Sequence, residues 1–265
     1  MAATRTPLVR EYHDSAVVIA GGTSGVGLAS ALGFVDAGVR RIALLARNSD
    51  RGKTAREQVL TRCPDALVEF VQTDAGDSEQ VEASVTEVHR TLGGIDVLVN
   101  SMTATYRPEL LHQIPPEDLA GIITGQALPP MHLTRAALPL MREQGGGSIV
   151  NIASDAAKVP TPGESALGAA MAAIVMFSRV AAIEAKRDGI RVNAVTPSLI
   201  AGTPTAENVL RDGFSKTLFE KAASQAHLGV AEPDDLASLI VFLGGPGAAK
   251  LTGQAISVNG GISAG

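Results

Sequence analysis

Residues 15–48 (SAVVIAGGTSGVGLASALGFVDAGVRRIALLARN) restrict the fold of this chain more than any other stretch. The apolar run at 16–20 ends in the cluster Gly21-Gly22-Thr23-Ser24-Gly25-Val26-Gly27. A helix-like segment continues to Ala37, Gly38 stops it, and a second apolar run fills 42–46. Strand, tight glycine turn, helix and strand make one βαβ unit. Its chemistry is phosphate recognition: glycines let the backbone turn sharply and approach a pyrophosphate, and unsatisfied N–H groups at the helix start attract negative charge. A glycine cluster alone also serves plain chain reversal, but here it lies between a strand and a helix, the setting phosphate binding requires.

The same alternation runs through the chain. Residues 50–62 read as a helix, 67–72 as a strand, 78–92 as a helix with Val81, Val85 and Val88 on one face, and 95–100 as a buried strand. A long helix is expected over 116–143, kinked or broken at Pro129, Pro130 and Pro139. A strand at 148–152, an Ala-rich helix at 165–187 and a strand at 191–195 follow. An irregular stretch to about Ala231, a helix at 233–243 and a strand at 255–258 complete the order. Strands alternating with helices imply an α/β fold, a single-domain, doubly wound parallel sheet of about seven strands with helices on both faces. No second domain, linker or repeat is visible in residues 1–265, and 198–230 read as a substrate lid. Ligands of such sheets lie over the carboxyl ends of the strands, which gathers Gly21, Arg47, Asp74, Asn100, Ser154 and Pro197 around one cleft.

A length of 265 residues suits one such domain. With 45% apolar but 3% aromatic residues and no Trp, the core must come from Ala, Val, Leu and Ile. A net charge of −5 without a basic tract argues against nucleic acid or an anionic membrane as the partner. Apolar runs read as too interrupted for a membrane span, the first residues do not read as a signal peptide, and Cys63, the lone cysteine, excludes an internal disulfide and a thiolate metal cluster. A cytoplasmic protein acting on a small molecule is expected, with no metal.

The GxxxGxG spacing of Gly21, Gly25 and Gly27 resembles the short-chain dehydrogenase/reductase family. The resemblance extends through IDVLVN at 95–100, NIAS at 151–154, GIRVNAVTP at 189–197 and LTGQ to Asn259-Gly260-Gly261. It implies a dinucleotide site made of Gly21, Thr23, Ser24, Gly25, Val26, Gly27, Arg47, Asp74, Ala75, Asn100, Pro197 and Thr203. Arg47 decides the cofactor. An acid after the second strand holds a ribose 2′-hydroxyl, whereas a guanidinium suits a 2′-phosphate, and no acid lies within 42–48. NADP(H) is therefore expected over NAD(H); the plainer reading of Arg47 is a solvated strand-end arginine. Asp74 matches the family's adenine-holding acid, with an N-cap as the plainer role, which Asp77 or Ser78 fills better. The family's small Ala-Gly pair after Asn100 is absent here: Ser101, Met102 and Thr103 follow, and Ser101-Met102 resembles the bacterial enoyl-carrier-protein reductases, a divergent branch.

The catalytic half departs from the family. Ser154 aligns with the serine that orients the substrate carbonyl. Leu167 stands where a proton-donating Tyr belongs, Met171 where a Lys belongs, and Gln126 where the family has an asparagine. Glu164 lies seven residues before Met171, where the divergent enoyl reductases place their tyrosine; a helix-start acid is its plainer reading. Ser154, Glu164 and Gln126 are thus the candidate catalytic residues. Tyr106 and His112 border the expected cleft, and Asp155 and Lys158 read as loop charges. A general acid contributes roughly 10²–10⁴-fold in rate, so its loss cripples carbonyl reduction without abolishing hydride transfer to an activated C=C bond. Three functions stay open: an atypical NADP(H)-dependent oxidoreductase on an enone or other small apolar carbonyl compound; a non-redox cyclase, isomerase or lyase; and a silent ligand-binding or partner subunit. The Ala-rich face of 165–187 (Ala169, Ala172, Ala173, Ala181) suggests close helix approach in a homo-oligomer, a dimer of dimers.

Overall fold

The computed structural model describes residues 9–211 and 213–264. Strands β1 (Ala16–Ala20), β2 (Arg41–Ala46), β3 (Leu67–Gln72), β4 (Val97–Asn100), β5 (Gly147–Ile152), β6 (Ile190–Pro197) and β7 (Ala255–Val258) form one seven-stranded sheet in the order β3-β2-β1-β4-β5-β6-β7. Every pairing is parallel. The order reverses between β1 and β4, which opens a crevice above their carboxyl ends.

Helices cover both faces. Val17 and Ile19 of β1 point to the side packed by α1 (Gly25–Asp36), α2 (Ser49–Arg62) and α8 (Pro233–Gly244). Ala16, Val18 and Ala20 point to the side packed by α3 (Ser78–Leu92), α4 (Asp118–Gln144) and α5 (Ser165–Ala185). That alternation is the period of two of a strand, here apolar on both faces, so β1 is buried throughout. Caps set the helix starts: Asn48 accepts from Arg51 N at α2, and Asp77 accepts from Glu79 N and Gln80 N at α3.

Four boundaries differ from the sequence expectations. Pro129, Pro130 and Pro139 sit inside a continuous α4. An interior proline costs about 3 kcal/mol, but Ala127, Leu133, Ala137 and Met141 of the same helix are buried against the sheet and its neighbours, which outweighs it. Before Val97 the ladder fades: Asp96 still bonds Ala16 O and Ser148 N through its backbone, but at Ile95 a side chain takes the ladder's place, Gln144 Oε1 accepting from Ile95 N and Nε2 donating to Ile95 O. The stretch expected to be irregular holds α6 (Pro204–Val209) and α7 (Gly213–Gln225). Thr203 followed by Pro204 is an N-cap and N1 signal that marks α6 in the sequence, whereas α7 buries only Ser215 and has little apolar periodicity to read. Finally, residues 165–188 are long and apolar enough to cross a membrane by length and composition, with a mean hydropathy of 1.9. In the fold this helix packs on β6 and α4, and Ala170, Ile174, Ser178 and Ala182 are buried there.

Candidate active site

The glycine turn is pressed into the crevice by backbone contacts. Gly21 donates its N–H to Leu45 O, and Ser101 N donates to Ala20 O, so the turn is flanked by the exits of β2 and β4. Gly21 has φ +79°, and a Cβ on it would strike the carbonyl of Ser101; a Cβ on Gly27 would strike the carbonyl of Gly21. Only glycine permits these approaches. Ser24 places no hydroxyl on the first turn of α1, while Val26 sends its side chain into the core. Thr203, the N-cap of α6, brings its methyl to within 3.5 Å of where a Cβ on Gly25 would stand, so the start of α6 lies against the turn.

Around that turn, Arg47 is exposed and its guanidinium makes no hydrogen bond or ion pair among the described residues. Asp74 is exposed and accepts from Gly76 N at 2.9 Å; Ala75 is buried and its carbonyl lies 3.2 Å from His132 Nδ1. Asn100 is buried beneath the crevice: its Nδ2 donates to Asn151 Oδ1 at 2.7 Å and faces Thr134 Oγ1 and Pro130 O, while its Oδ1 has no partner. Pro197 ends β6, and Thr23 lies in the turn itself. The uncapped first turn, the open guanidinium and the glycine approaches fit a phosphorylated dinucleotide.

On the other side of the crevice, Ser154 accepts from Ala156 N at 3.2 Å and leaves its own hydroxyl proton without an acceptor among the described residues. Glu164 is buried at the start of α5, and burial pushes its carboxyl up to about 7; the nearby charge of Asp155 adds to the rise, and a hydrogen bond with Thr161 offsets part of it. Gln126 is buried and holds a neighbouring loop. Its Oε1 accepts from Ala104 N at 3.2 Å and its Nε2 donates to Ala104 O at 2.9 Å, so both ends of the amide grip the backbone of one residue. Leu167 is half-buried and Met171 buried in an apolar cluster with Ala127, Ala153 and Ile174.

Asp155 and Lys158 are not loop charges in the solvated sense. Asp155 is buried and accepts from Ser257 Oγ (3.0 Å), Ser263 Oγ (2.8 Å) and Asn259 Nδ2, while Lys158 Nζ donates to Ser257 Oγ at 2.6 Å. Together they tie the segment beside Ser154 to β7 and the end of the chain. His112 is exposed in a short 3-10 turn. Tyr106 is half-buried and donates to Gly163 O at 2.8 Å. A cleft of about 330 Å³ lies between its segment and α4, bordered by Ala104, Tyr106, Ile122 and Gln126.

Known proteins agree with this architecture over nearly its whole length. Residues 20–263 match the family described as Enoyl-(Acyl carrier protein) reductase. An uncharacterised oxidoreductase of Mycobacterium tuberculosis (strain CDC 1551 / Oshkosh) is 32% identical, over 94% of this chain and 92% of that protein. Among solved structures, L-sorbose reductase from Gluconobacter frateurii, complexed with NADPH and L-sorbose, is 33% identical with a TM-score of 0.84, covering 96% of this chain and 98% of the other. An NADPH-bound short chain oxidoreductase from Pseudomonas aeruginosa PAO1, which contains an atypical catalytic center, is 27% identical with a TM-score of 0.86, covering 96% and 98%. The parallel sheet with its switch point beneath a glycine turn, matched from end to end by these oxidoreductases, makes this chain a member of the short-chain dehydrogenase/reductase family.

Proposed function

We propose that this chain is an atypical NADP(H)-dependent oxidoreductase that reduces an enone or another small apolar carbonyl compound. Arg47 carries the cofactor assignment: it stands exposed at the exit of β2, beside the glycine turn, with its guanidinium open to a 2′-phosphate and no acid between residues 42 and 48. Gly21, Thr23, Ser24, Gly25, Val26 and Gly27 would take the pyrophosphate through backbone N–H groups, with Thr203 above them. Asp74 and Ala75 would border the adenine, and Asn100 and Pro197 the floor. When bound, the cofactor supplies a hydride to the substrate carbon.

The protein's own part is to orient the substrate and hold a proton. Ser154 can donate its free hydroxyl to a substrate oxygen. Burial raises the Glu164 carboxyl to about 7, so near neutrality a substantial share of it still holds a proton that it can give up. Leu167 and Met171 can do neither job, and the apolar cluster they join fits a substrate with little polarity. The Pseudomonas protein, with its atypical catalytic center, is a precedent for departure from the family's usual residues on this fold.

Calorimetry on the full chain with NADPH and NADH tests this reading. NADPH should bind more tightly, and Arg47→Ala should weaken it by about 1.5–3 kcal/mol while leaving NADH unchanged. Equal affinities, or no binding of either, would overturn it. We further propose a cytoplasmic homo-oligomer, a dimer of dimers, that binds neither nucleic acid nor membrane. Ala169, Ala172, Met176, Val180 and Ile183 form an exposed apolar stripe on α5, with Ala173 half-buried beside it; Ala181 turns inward instead. A monomeric mass by light scattering at micromolar concentration would contradict this assembly.

A further inference from the structure

The chain has two tyrosines. Tyr12 lies far from the crevice, its hydroxyl donating to Val241 O at 3.1 Å under α8. Tyr106 is placed otherwise. It borders the cleft of about 330 Å³ beside α4, and several elements hold it still. Its hydroxyl donates to Gly163 O at 2.8 Å, and the same carbonyl accepts from Glu109 N at 3.0 Å. Asn208 Nδ2 reaches its backbone carbonyl at 3.4 Å, and Gln126 grips Ala104, two residues before it. Gly163 has φ +84°, and a Cβ there would come within 2.6 Å of the Phe214 ring, so loop, α5 start and lid meet with no side chain between them. The residue after this shared carbonyl is Glu164.

We propose that Tyr106 delivers the proton to the substrate oxygen and that Glu164 restores it, so that one coupled acid pair is shared by the segment after β4 and the start of α5. This rests on the oxidoreductase reading above. The proton transfers balance. The O–H bond of Tyr106 breaks as an O–H bond forms on the substrate oxygen, which carries the electron pair left by two-electron reduction with the hydride cofactor. The phenolate takes the proton of Glu164, and the carboxylate regains one from water. Burial raises the phenol's pKa, and the charges of Glu164 and Glu109 raise it further, so Tyr106 rests as a neutral donor. The other charged groups around the pair are Asp155, which faces Glu164, Glu117 and Asp118, which line the cleft on α4, and Arg107, which donates to Ser215 Oγ.

Carbon-13 NMR of protein labelled at tyrosine Cζ reads this pair without any substrate. Two signals are expected, and Tyr106→Phe assigns them. The Tyr106 signal should move with pH through an inflection near 7, the titration of Glu164. Glu164→Gln should abolish that inflection, and Glu164→Asp, which keeps a carboxyl, should retain one. An inflection that came from any other group would survive Glu164→Gln, so the variant identifies its source. A Tyr106 signal that is flat across neutral pH, or an inflection unchanged in Glu164→Gln, would overturn the pair. With NADPH and cyclohex-2-enone, Tyr106→Phe should lose about 10²-fold or more in kcat with unchanged NADPH affinity. An unaltered protein that does not bind NADPH would refute the oxidoreductase reading instead, and the NMR result would still decide the pair.

Discussion

The glycine turn and the wall opposite it border the same crevice but are built from different materials. Backbone makes the turn: Gly21 lies against the carbonyl of Ser101, and Gly27 against that of Gly21, with no room for a Cβ at either. Side chains make the wall: Gln126 grips Ala104, Tyr106 reaches Gly163, and Asp155 gathers Ser257, Asn259 and Ser263. A site made of backbone admits one residue type, so its sequence signature is fixed by sterics. A site made of side chains can exchange one hydrogen-bonding scheme for another on an unchanged backbone. The turn therefore holds its glycines fixed, while the wall can change its side chains without disturbing the sheet.

The wall should be the half that can be rewritten, and the largest effect tests this. The unaltered protein should reduce simple ketones far more slowly than cyclohex-2-enone, because Leu167 and Met171 place no cation beside a phenol and burial leaves Tyr106 a weak acid. Leu167→Tyr with Met171→Lys should raise ketone reduction by roughly 10²–10⁴-fold, more than the product of the single changes, measured as NADPH oxidation. Met171→Lys alone should lower the melting temperature, since it buries an ammonium among Ala127, Ala153 and Ile174. Brisk reduction of unactivated ketones by the unaltered protein would mean that the acid of the wall needs no neighbouring cation.

The turn should tolerate nothing comparable. Gly27→Val drives a side chain into the carbonyl of Gly21, and one of β1 or α1 must shift. A loss of about 3 kcal/mol in chemical denaturation is expected, together with nucleotide binding. Gly121→Ala is the control: a Cβ there meets nothing within 4 Å, and inside α4 it should stabilise by about 1 kcal/mol. Equal effects from the two would dissolve the contrast between a steric site and a permissive one.

Legibility in the sequence follows the same divide. The strands and α1, α2, α3, α5 and α8 stand close to where apolar period and glycine stops place them, because burial on both faces of a parallel sheet leaves a strong pattern. The glycine turn and the role of Asp77 as a cap were readable from local chemistry. What the pattern did not carry was tertiary. Nothing around Pro129 and Pro130 shows that packing holds α4 together. Nothing near Asp155 shows that Ser257 and Asn259 meet it from about a hundred positions away. Tyr106 and Glu164 are 58 positions apart in sequence, and a glycine carbonyl brings their segments together.

Glu164 offers a sharper test of the wall, since burial should make stability depend on pH in a set direction. In the fold its carboxyl keeps the proton to about 7, against 4.5 for the ordinary side chain. Between those values the native state holds a proton that the unfolded chain has released, so stability falls as pH rises through this window and stays lower above it. The full effect is about 2–3 kcal/mol for such a shift. Glu164→Gln removes the carboxyl, so the variant should gain stability relative to the unaltered protein as pH rises from 4.5 to about 7. Urea midpoints at a series of pH values check this. Parallel curves for the two proteins would place the carboxyl in water and remove Glu164 from the acid pair.

The smallest effect separates two aspartates three positions apart at the exit of β3. Asp77 caps α3, its Oδ1 accepting from Glu79 N at 2.9 Å and Gln80 N at 3.1 Å, and these bonds hold its carboxyl below the usual range. Asp77→Ala should remove this cap, lower the melting temperature and leave NADPH affinity unchanged. The carboxylate of Asp74 has one local bond, to Gly76 N, and stands exposed at the rim of the crevice with acceptor capacity to spare. Asp74→Ala should leave the melting temperature nearly unmoved and weaken NADPH by about 1 kcal/mol, the worth of one lost hydrogen bond. Measuring both variants by calorimetry and thermal denaturation sets stability against affinity within a single loop. If Asp74→Ala moves stability and not affinity, this aspartate serves the turn alone, and the nucleotide rests on the glycines and Arg47.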